Sequence, residues 1–245
     1  MILPAPPALS GRHALFLDFD GTLAPLQDDA DAVRLTEDQA ARLEALSALR
    51  DGALALISGR DLADLAARAP ASVWRIGNHG LYALAPGEAD RPEPAALPNG
   101  LRRTLQHVAD AHEGARLEVK GPVGTIHYRA CPAAGPMILD AVRAAAGSAD
   151  GYRGKGGNHV AEAIPDGANK GSALERAMAR PPFAGRVPVM VGDDTTDEDG
   201  FLAAQRLGGF GVKVGLGAVA GGTVARKCLD DVAAVWNWLD AGGGG

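Results

Sequence analysis

Two aspartates two positions apart, Asp18 and Asp20, close the run Leu15-Phe16-Leu17-Asp18-Phe19-Asp20-Gly21-Thr22. Such a pair can divide labour, with Asp18 attacking an electrophile or holding a metal while Asp20 handles a proton. The plainer reading is a strand followed by an Asp-Gly turn. Three further segments carry groups that complete the same chemistry. Ser58-Gly59-Arg60 offers a hydroxyl and main-chain N–H groups at a predicted helix start, a place that suits phosphate, although a simple N-cap is the plainer role for Ser58. Lys170 falls in the first turn of a predicted helix, where a positive side chain opposes the helix dipole, so the position suits a ligand better than it suits the helix. Gly192-Asp193-Asp194-Thr195-Thr196-Asp197-Glu198-Asp199 gathers five carboxylates within seven positions. The later acids fit a helix N-terminus, but Asp193 and Asp194 precede it and call for a counter-charge, best a hard divalent cation such as Mg2+. Acidic nucleophile, metal site, hydroxyl and lysine together are what phosphoryl transfer through an aspartyl phosphate requires.

These groups need a scaffold, and the periodicity supplies one. His13-Ala14-Leu15-Phe16-Leu17 does not alternate, which predicts a parallel strand covered on both faces, closed by Gly21 and Pro25. In an open α/β sheet the carboxyl end of such a strand is where ligands bind. Thr36-Glu37-Asp38-Gln39 reads as a capping box, followed by leucines at 43, 46 and 49 and stopped by Asp51-Gly52, so a crossover helix follows. Ala53 to Ile57, Val73 to Gly77, Val187 to Val191 and Phe210 to Gly215 read as further core strands, and Val232 to Leu239 as a terminal helix. Between them the pattern changes. Residues 85–98 are rich in Pro, Gly and Ala. A helix from about Asn99 to Ala111 follows, then alternating segments Ala115 to Lys120 and Gly124 to Arg129, a helix around Met137 to Ala146, and a short hairpin from Gly151 to Arg153 and Asn158 to Ala163. The prediction is an α/β core over residues 1–84 and 164–245 interrupted by an α+β lid over 85–163.

The 245 residues carry a net charge of −6 without a long run of like charges, which argues against a nucleic-acid partner. A small anionic substrate stays compatible, since local lysines or a bound cation reverse the field within a cleft. Cys131 and Cys228 lie in no metal-ligand spacing, and the scattered histidines make no zinc pattern. The start, Met1-Ile2-Leu3-Pro4, lacks the regions of a secretory leader, and no stretch reaches the length of a membrane span, so a cytoplasmic protein without a membrane partner is expected. The glycine-rich end, Ala241 to Gly245, is expected to be disordered.

Asp18-Phe19-Asp20-Gly21-Thr22, Ser58-Gly59-Arg60, Lys170 and Gly192-Asp193-Asp194 resemble, in order, the motifs of haloacid dehalogenase superfamily phosphatases. Within that superfamily the chain is similar to the trehalose-6-phosphate phosphatase family across nearly its whole length. The likeness also runs through Gly77-Asn78-His79-Gly80, Glu118-Val119-Lys120-Gly121, His127-Tyr128-Arg129, Asn169-Lys170-Gly171 and Gly192 to Glu198. The resemblance implies a doubly wound parallel-sheet core with an inserted α+β cap. It implies Asp18 as nucleophile, Asp20 as general acid/base, and Ser58 and Lys170 on the transferring phosphoryl group, with Gly59, Arg60 and His79 as neighbouring substrate contacts. Mg2+ would be held by Asp18, the carbonyl of Asp20 and Asp193, with Asp194 and Asp197 close behind. The cap would read the sugar through Glu118, Lys120 and Glu162, with Arg129 as a further contact, although Glu118 and Lys120 also share a side of one strand and could be a simple surface pair. Ile164 departs from the basic residue the family commonly has near there. The implied substrate is trehalose 6-phosphate, and a trehalose-6-phosphate synthase is the implied functional partner. Two alternatives stay open: another sugar-phosphate phosphatase or phosphomutase of the superfamily, and a catalytically silent regulatory module.

Overall fold

Strand β1 (His13–Leu17) lies at the centre of a seven-stranded sheet. Its neighbours are β2 (Leu54–Ile57) and then β3 (Trp74–Gly77) and β4 (Tyr82–Leu84) on one side, and β9 (Val187–Gly192), β10 (Phe210–Val214) and β11 (Lys227–Leu229) on the other. All pairings are parallel except β3 with the edge strand β4. The structure, a computed structural model, describes residues 3–89, 95–157, 159–215 and 222–242.

The unbroken apolar runs are explained by two cores, one on each face of the sheet. Leu15 and Leu17 pack with Leu54, Leu56, Val189 and Val191, while Ala14 and Phe16 pack with Ala55, Ile57, Met190 and Phe183. Burying both faces removes the polar positions that would otherwise alternate along a strand. Helix α1 (Glu37–Ala48) begins with the expected capping box, in which Thr36 and Gln39 exchange side-chain and main-chain hydrogen bonds of 3.1 and 2.9 Å. Its Leu43 and Leu46 face the first core, as do Val235, Trp236 and Leu239 of α7 (Val232–Ala241). Ala173, Leu174 and Ala177 of α5 (Lys170–Met178), with Phe201, Ala203 and Ala204 of α6 (Glu198–Arg206), face the second. Helix α2 (Leu62–Arg68) crosses between β2 and β3.

The chain divides into two units, Met1–Arg91 with Asn169–Gly245, and Pro92–Ala168. The second holds α3 (Asn99–Asp110), β5 (Arg116–Lys120), β6 (Val123–His127), α4 (Gly135–Gly147), β7 (Tyr152–Gly157) and β8 (Val160–Pro165). Its antiparallel sheet, ordered β5-β6-β8-β7, packs Ile126, Ala161 and Ala163 against Leu101 and Leu105 of α3 and Ile138 and Val142 of α4. This unit begins and ends a few residues later than the interval 85–163. At its start, β4 pairs with β3, and the guanidinium of the buried Arg75 donates to the carbonyl of Ala85 (2.9 Å), which ties that turn to the first unit. At its end, β8 runs on to Pro165, and Arg153 donates to the carbonyl of Ala168 (2.6 Å). The hairpin is accordingly longer than expected. Part of the 85–98 segment, Asn158 and the glycines from 243 onward lie outside the described residues. Among the described residues, no helix is long and apolar enough to cross a membrane.

Candidate active site

The carboxyl end of β1 carries Asp18, anchored by its own N–H to the carbonyl of Val191 on β9 (2.9 Å) and 5% exposed. The chain then turns sharply: the N–H of Gly21 reaches the carbonyl of Ala24 (2.8 Å), and the N–H groups of Leu23 and Ala24 both reach that of Phe19 (3.0 Å). The indole of Trp236, buried on α7, supports this loop by donating to the carbonyl of Leu23 (2.9 Å). Gly21 is required on two counts. Its φ of +76° lies in the left-handed region, and a Cβ there would sit 2.2 Å from Oδ2 of Asp193.

Lys170 enters from the start of α5, where Asn169 caps the helix by accepting from the N–H of Ser172 (3.0 Å). Its buried Nζ donates to Oδ1 of Asp18 at 2.7 Å and to Oδ1 of Asp197 at 2.6 Å. One carboxylate oxygen from each of Asp18, Asp193 and Asp197 lies within 4.8 Å of the others. Asp197 is fully buried, and its Oδ2 accepts from the N–H of Asp194 (3.0 Å). Asp194 points elsewhere, its Oδ1 accepting from the N–H of Thr195 (2.6 Å) at the start of a short 3-10 turn.

The electrostatics follow from the burial. Desolvation, reinforced by Asp197, holds the Asp18 carboxyl well above the usual range even though Lys170 opposes this. Burial works against the Lys170 ammonium, but Asp18 and Asp197 outweigh it and keep the lysine firmly charged. Burial, with repulsion from Asp197 and Asp194, pushes Asp193 up to about 6. Oδ1 of Asp193 is also buried without a hydrogen-bond partner among the described residues. Three crowded carboxylates served by one ammonium, with one oxygen left unsatisfied, are a donor set that fits a small hard cation such as Mg2+.

A pH dependence follows. Between the ordinary 3.8 and about 6, the folded protein retains a proton on Asp193 that the unfolded chain has lost, so stability falls as pH rises through that window and the full cost stands above it. Asp193→Asn should therefore stabilise the metal-free protein at neutral pH by on the order of 1–3 kcal/mol. Urea unfolding in chelator should show that gain fading below the window; an equal gain at all pH values would refute the assignment.

Ser58 is buried, with its N–H on the carbonyl of Ile76 (2.9 Å) and its Oγ accepting from the N–H of Arg60 (3.1 Å). Neither the helix start expected at this motif nor the N-cap role for Ser58 is found. Helix α2 begins only at Leu62, and its N-cap is Asp61, which accepts from the N–H of Ala63 (2.8 Å). Gly59 lies against the ring of His79, which a Cβ would approach to 2.7 Å. Asn78, His79 and Gly80 all take left-handed conformations. That run is held by Asn78, whose side chain accepts from the N–H of Leu62 (2.9 Å) and donates to Asp61 (3.2 Å). Arg60 grips both oxygens of Asp20 (2.6 and 2.7 Å) and also reaches Asp64 (2.7 Å), which is shared with Arg68.

In the second unit, Glu118, Thr125, Glu162 and Lys155 stand opposite one another across all four strands. Glu118 joins His127 (2.7 Å) and Lys120 (3.1 Å), and Thr125 donates to Glu162 (3.2 Å). Burial alone would raise the Glu118 carboxyl, but its bonds to His127 and Lys120 hold it below the ordinary range. Arg129 lies beyond the end of β6, outside this row, and Ile164 is fully buried. Sequence reasoning did not single out Thr125 and Lys155 here, nor Asp64 and Lys213 in the first unit; His127 entered only within the His127-Tyr128-Arg129 motif, without a role of its own. The alternating segment Gly124 to Arg129 carried the signal for Thr125, whereas Lys155 lies in β7 beyond the expected Gly151 to Arg153 strand.

A buried acid–lysine–acid cluster with a third carboxylate stands at the carboxyl ends of parallel strands, the ligand-binding end of an open α/β sheet, which makes this an α/β protein with a mainly parallel sheet and its site at that end. A model of the trehalose-phosphatase family matches residues 16–228. Trehalose-6-phosphate phosphatase of Escherichia coli is 36% identical over 245 residues, covering 96% of this chain and 88% of that protein. Among solved structures, the C-terminal domain of Candida albicans trehalose-6-phosphate phosphatase superposes with a TM-score of 0.78 at 23% identity, over 96% of this chain and 93% of the other. The C-terminal domain of the Candida albicans trehalose synthase regulatory protein has the same fold, with a TM-score of 0.72 at 10% identity over 98% and 99% of the two chains. The chain belongs to the trehalose-phosphatase family.

Proposed function

We propose that this chain hydrolyses trehalose 6-phosphate to trehalose and inorganic phosphate, using Asp18 as nucleophile. The observation that carries this reading is the Asp18–Lys170–Asp197 cluster with Asp193 beside it, in a chain that the trehalose-phosphatase family model matches over residues 16–228. In the first step an oxygen of Asp18 attacks phosphorus, the bond from phosphorus to the sugar oxygen breaks, and Asp20 gives that oxygen its proton. In the second step water attacks the aspartyl phosphate, Asp20 takes the water's proton, and the bond from phosphorus to Asp18 breaks. The Asp18 role depends on its carboxylate being ionised, and Lys170 opposes the burial that disfavours this. Of the three N–H donors on the Lys170 ammonium, two meet carboxylates and the third is available to a phosphoryl oxygen. Ser58, the N–H of Gly59, and His79 complete the phosphoryl cradle. Asp20 can meet the leaving oxygen only if Arg60 releases one of its two contacts, and the phosphate of the substrate is the natural competitor for that guanidinium.

Asp18, Asp193 and the carbonyl of Asp20 would hold Mg2+, with Asp197 behind them; Asp194 serves the site by shaping the turn. The bound cation supplies positive charge to the transferring phosphoryl oxygens. The second unit acts as the cap, and Glu118, Lys120 and Glu162 on its sheet read the sugar hydroxyls, since polar groups left unpaired by a wrong sugar cost affinity. Arg129 would contribute from beyond the strand. The free thiols of Cys131 and Cys228 suit the cytoplasm, where a trehalose-6-phosphate synthase would supply the substrate.

The fold also occurs in a protein named as regulatory, so the residues rather than the fold favour an enzyme. Phosphate release with Mg2+ should be much faster from trehalose 6-phosphate than from glucose 6-phosphate, sucrose 6-phosphate or an aryl phosphate. Preference for another sugar phosphate would overturn the cap reading and keep the chemistry; no release from any of them would favour the regulatory alternative.

A further inference from the structure

Lys213, next to last in β10, is 4% exposed, and its Nζ donates to the main-chain carbonyl of Asp193. An ammonium withdrawn from water and bonded to a neutral carbonyl is an expensive choice for a strand whose other residues are apolar, so sheet stability does not account for it. Its placement does. Lys213 pairs in register with Gly192, the last residue of β9, so it stands beside the point where the chain leaves the sheet to form the acidic cluster. The peptide unit joining Asp193 to Asp194 is held at both ends: Lys213 binds its C=O, and Oδ2 of Asp197 accepts from its N–H at 3.0 Å. Gly192 allows this approach, since a Cβ there would come within 2.2 Å of the Asp197 carboxyl carbon. With that peptide held, the Asp193 side chain lies toward Gly21, Asp18 and Asp197.

We infer that Lys213 is a positioning residue of the acidic cluster, clamping the Asp193–Asp194 peptide so that the Asp193 carboxylate is presented to a divalent cation. The inference rests on the cation reading of the cluster given above.

The sign of one measurement separates this role from a purely electrostatic one. If Lys213 acted only through its charge, removing that charge would relieve repulsion and tighten cation binding. If it acts by clamping, its removal loosens binding. The full chain, freed of metal by chelator, is titrated with MgCl2 while the melting temperature and the heat of binding are followed. Wild type should show saturable stabilisation. In Lys213→Met the Mg2+ midpoint should rise by roughly tenfold or more, the scale seen when a residue supporting a metal ligand is lost. Lys213→Arg, which keeps a donor and a charge, should recover most of the loss. If Lys213→Met does not fold, Lys213→Gln, neutral and one atom shorter, should shift the midpoint in the same direction. A midpoint unchanged or lowered in the neutral variants, while wild type binds Mg2+, overturns the role of Lys213 and leaves the cation reading standing. No saturable response in wild type overturns both.

Discussion

Replacing Asp18 by Asn should abolish turnover and yet raise the melting temperature of the metal-free protein. The loss of turnover follows from removing the attacking oxygen: an amide cannot form the acyl phosphate, and losses on removing a catalytic nucleophile run to roughly 10^4–10^6-fold. The gain in stability follows from the cost of burying this carboxylate. Desolvation, with Asp197 and Asp193 adding repulsion, holds its folded-state pKa well above the ordinary value. For a carboxyl shifted upward the sign is clear. The folded state holds its proton more tightly than the unfolded chain, so the ionised group weakens folding at every pH above its folded-state value. Asn keeps the shape, removes the charge, and leaves Lys170 its second partner at 2.6 Å, Asp197. Thermal unfolding in chelator, paired with phosphate release, tests both halves. A variant that melts below wild type would show that the Lys170 contact outweighs the burial of the charge.

Lys170→Met should have the opposite effect on stability with a comparable effect on activity. Lys170 is the cation shared by two buried carboxylates, Asp18 and Asp197, at 2.7 and 2.6 Å. Removing one partner of a buried ion pair strands the other, a loss of about 3–5 kcal/mol in comparable cases. Here two acids are stranded, and Asp197 cannot turn to solvent because it is fully buried and already bonded to the N–H of Asp194. The cost should shrink as pH falls, because the stranded carboxyls can then take up protons. Turnover should fall by at least 10^2–10^3-fold, roughly the loss expected when one preorganised charge-stabilising donor is deleted. Denaturant unfolding across pH, with activity at neutral pH, gives the comparison. Stability equal to wild type at neutral pH would mean that Lys170 does not neutralise the pair. Opposite stability shifts with a shared loss of activity, in Asp18→Asn and Lys170→Met, would mark a charge-frustrated cluster assembled for chemistry rather than for folding.

The parts of the site that could be read from the chain were those where chemistry and periodicity coincide. Asp18 stands at the end of an apolar run too uniform for a half-exposed strand, and both cores that explain this uniformity are present. Lys170 sits unfavourably in a first helical turn, which marked it as a residue kept for something other than the helix, and its side chain bonds to two acids from other segments. The capping box at Thr36 was legible because both of its hydrogen bonds are local. The start of α2 was less legible: Ser58 and Asp61 both suit an N-cap, and Asp61 takes the position because Ser58 is still hydrogen-bonded to β3. Strands β4 and β11, three residues each, are too short for a periodic signal.

Sequence alone determined which residues could act and on which face of a strand or turn of a helix each would stand, because side-chain chemistry and the helical and strand periods are local properties. Tertiary structure decided which groups meet. Asp20 and Arg60 are 40 positions apart, Lys170 and Asp18 are 152 apart, and Lys213 and Asp193 are 20 apart; each pair exists only because β2, β1, β9 and β10 are ordered and registered as they are. Strand order and register are settled by the packing of two buried faces at once, and that packing also sets the burial that raises Asp18 and Asp193. No pattern along one strand carries that information, since the energy of burying a charge depends on everything that surrounds it.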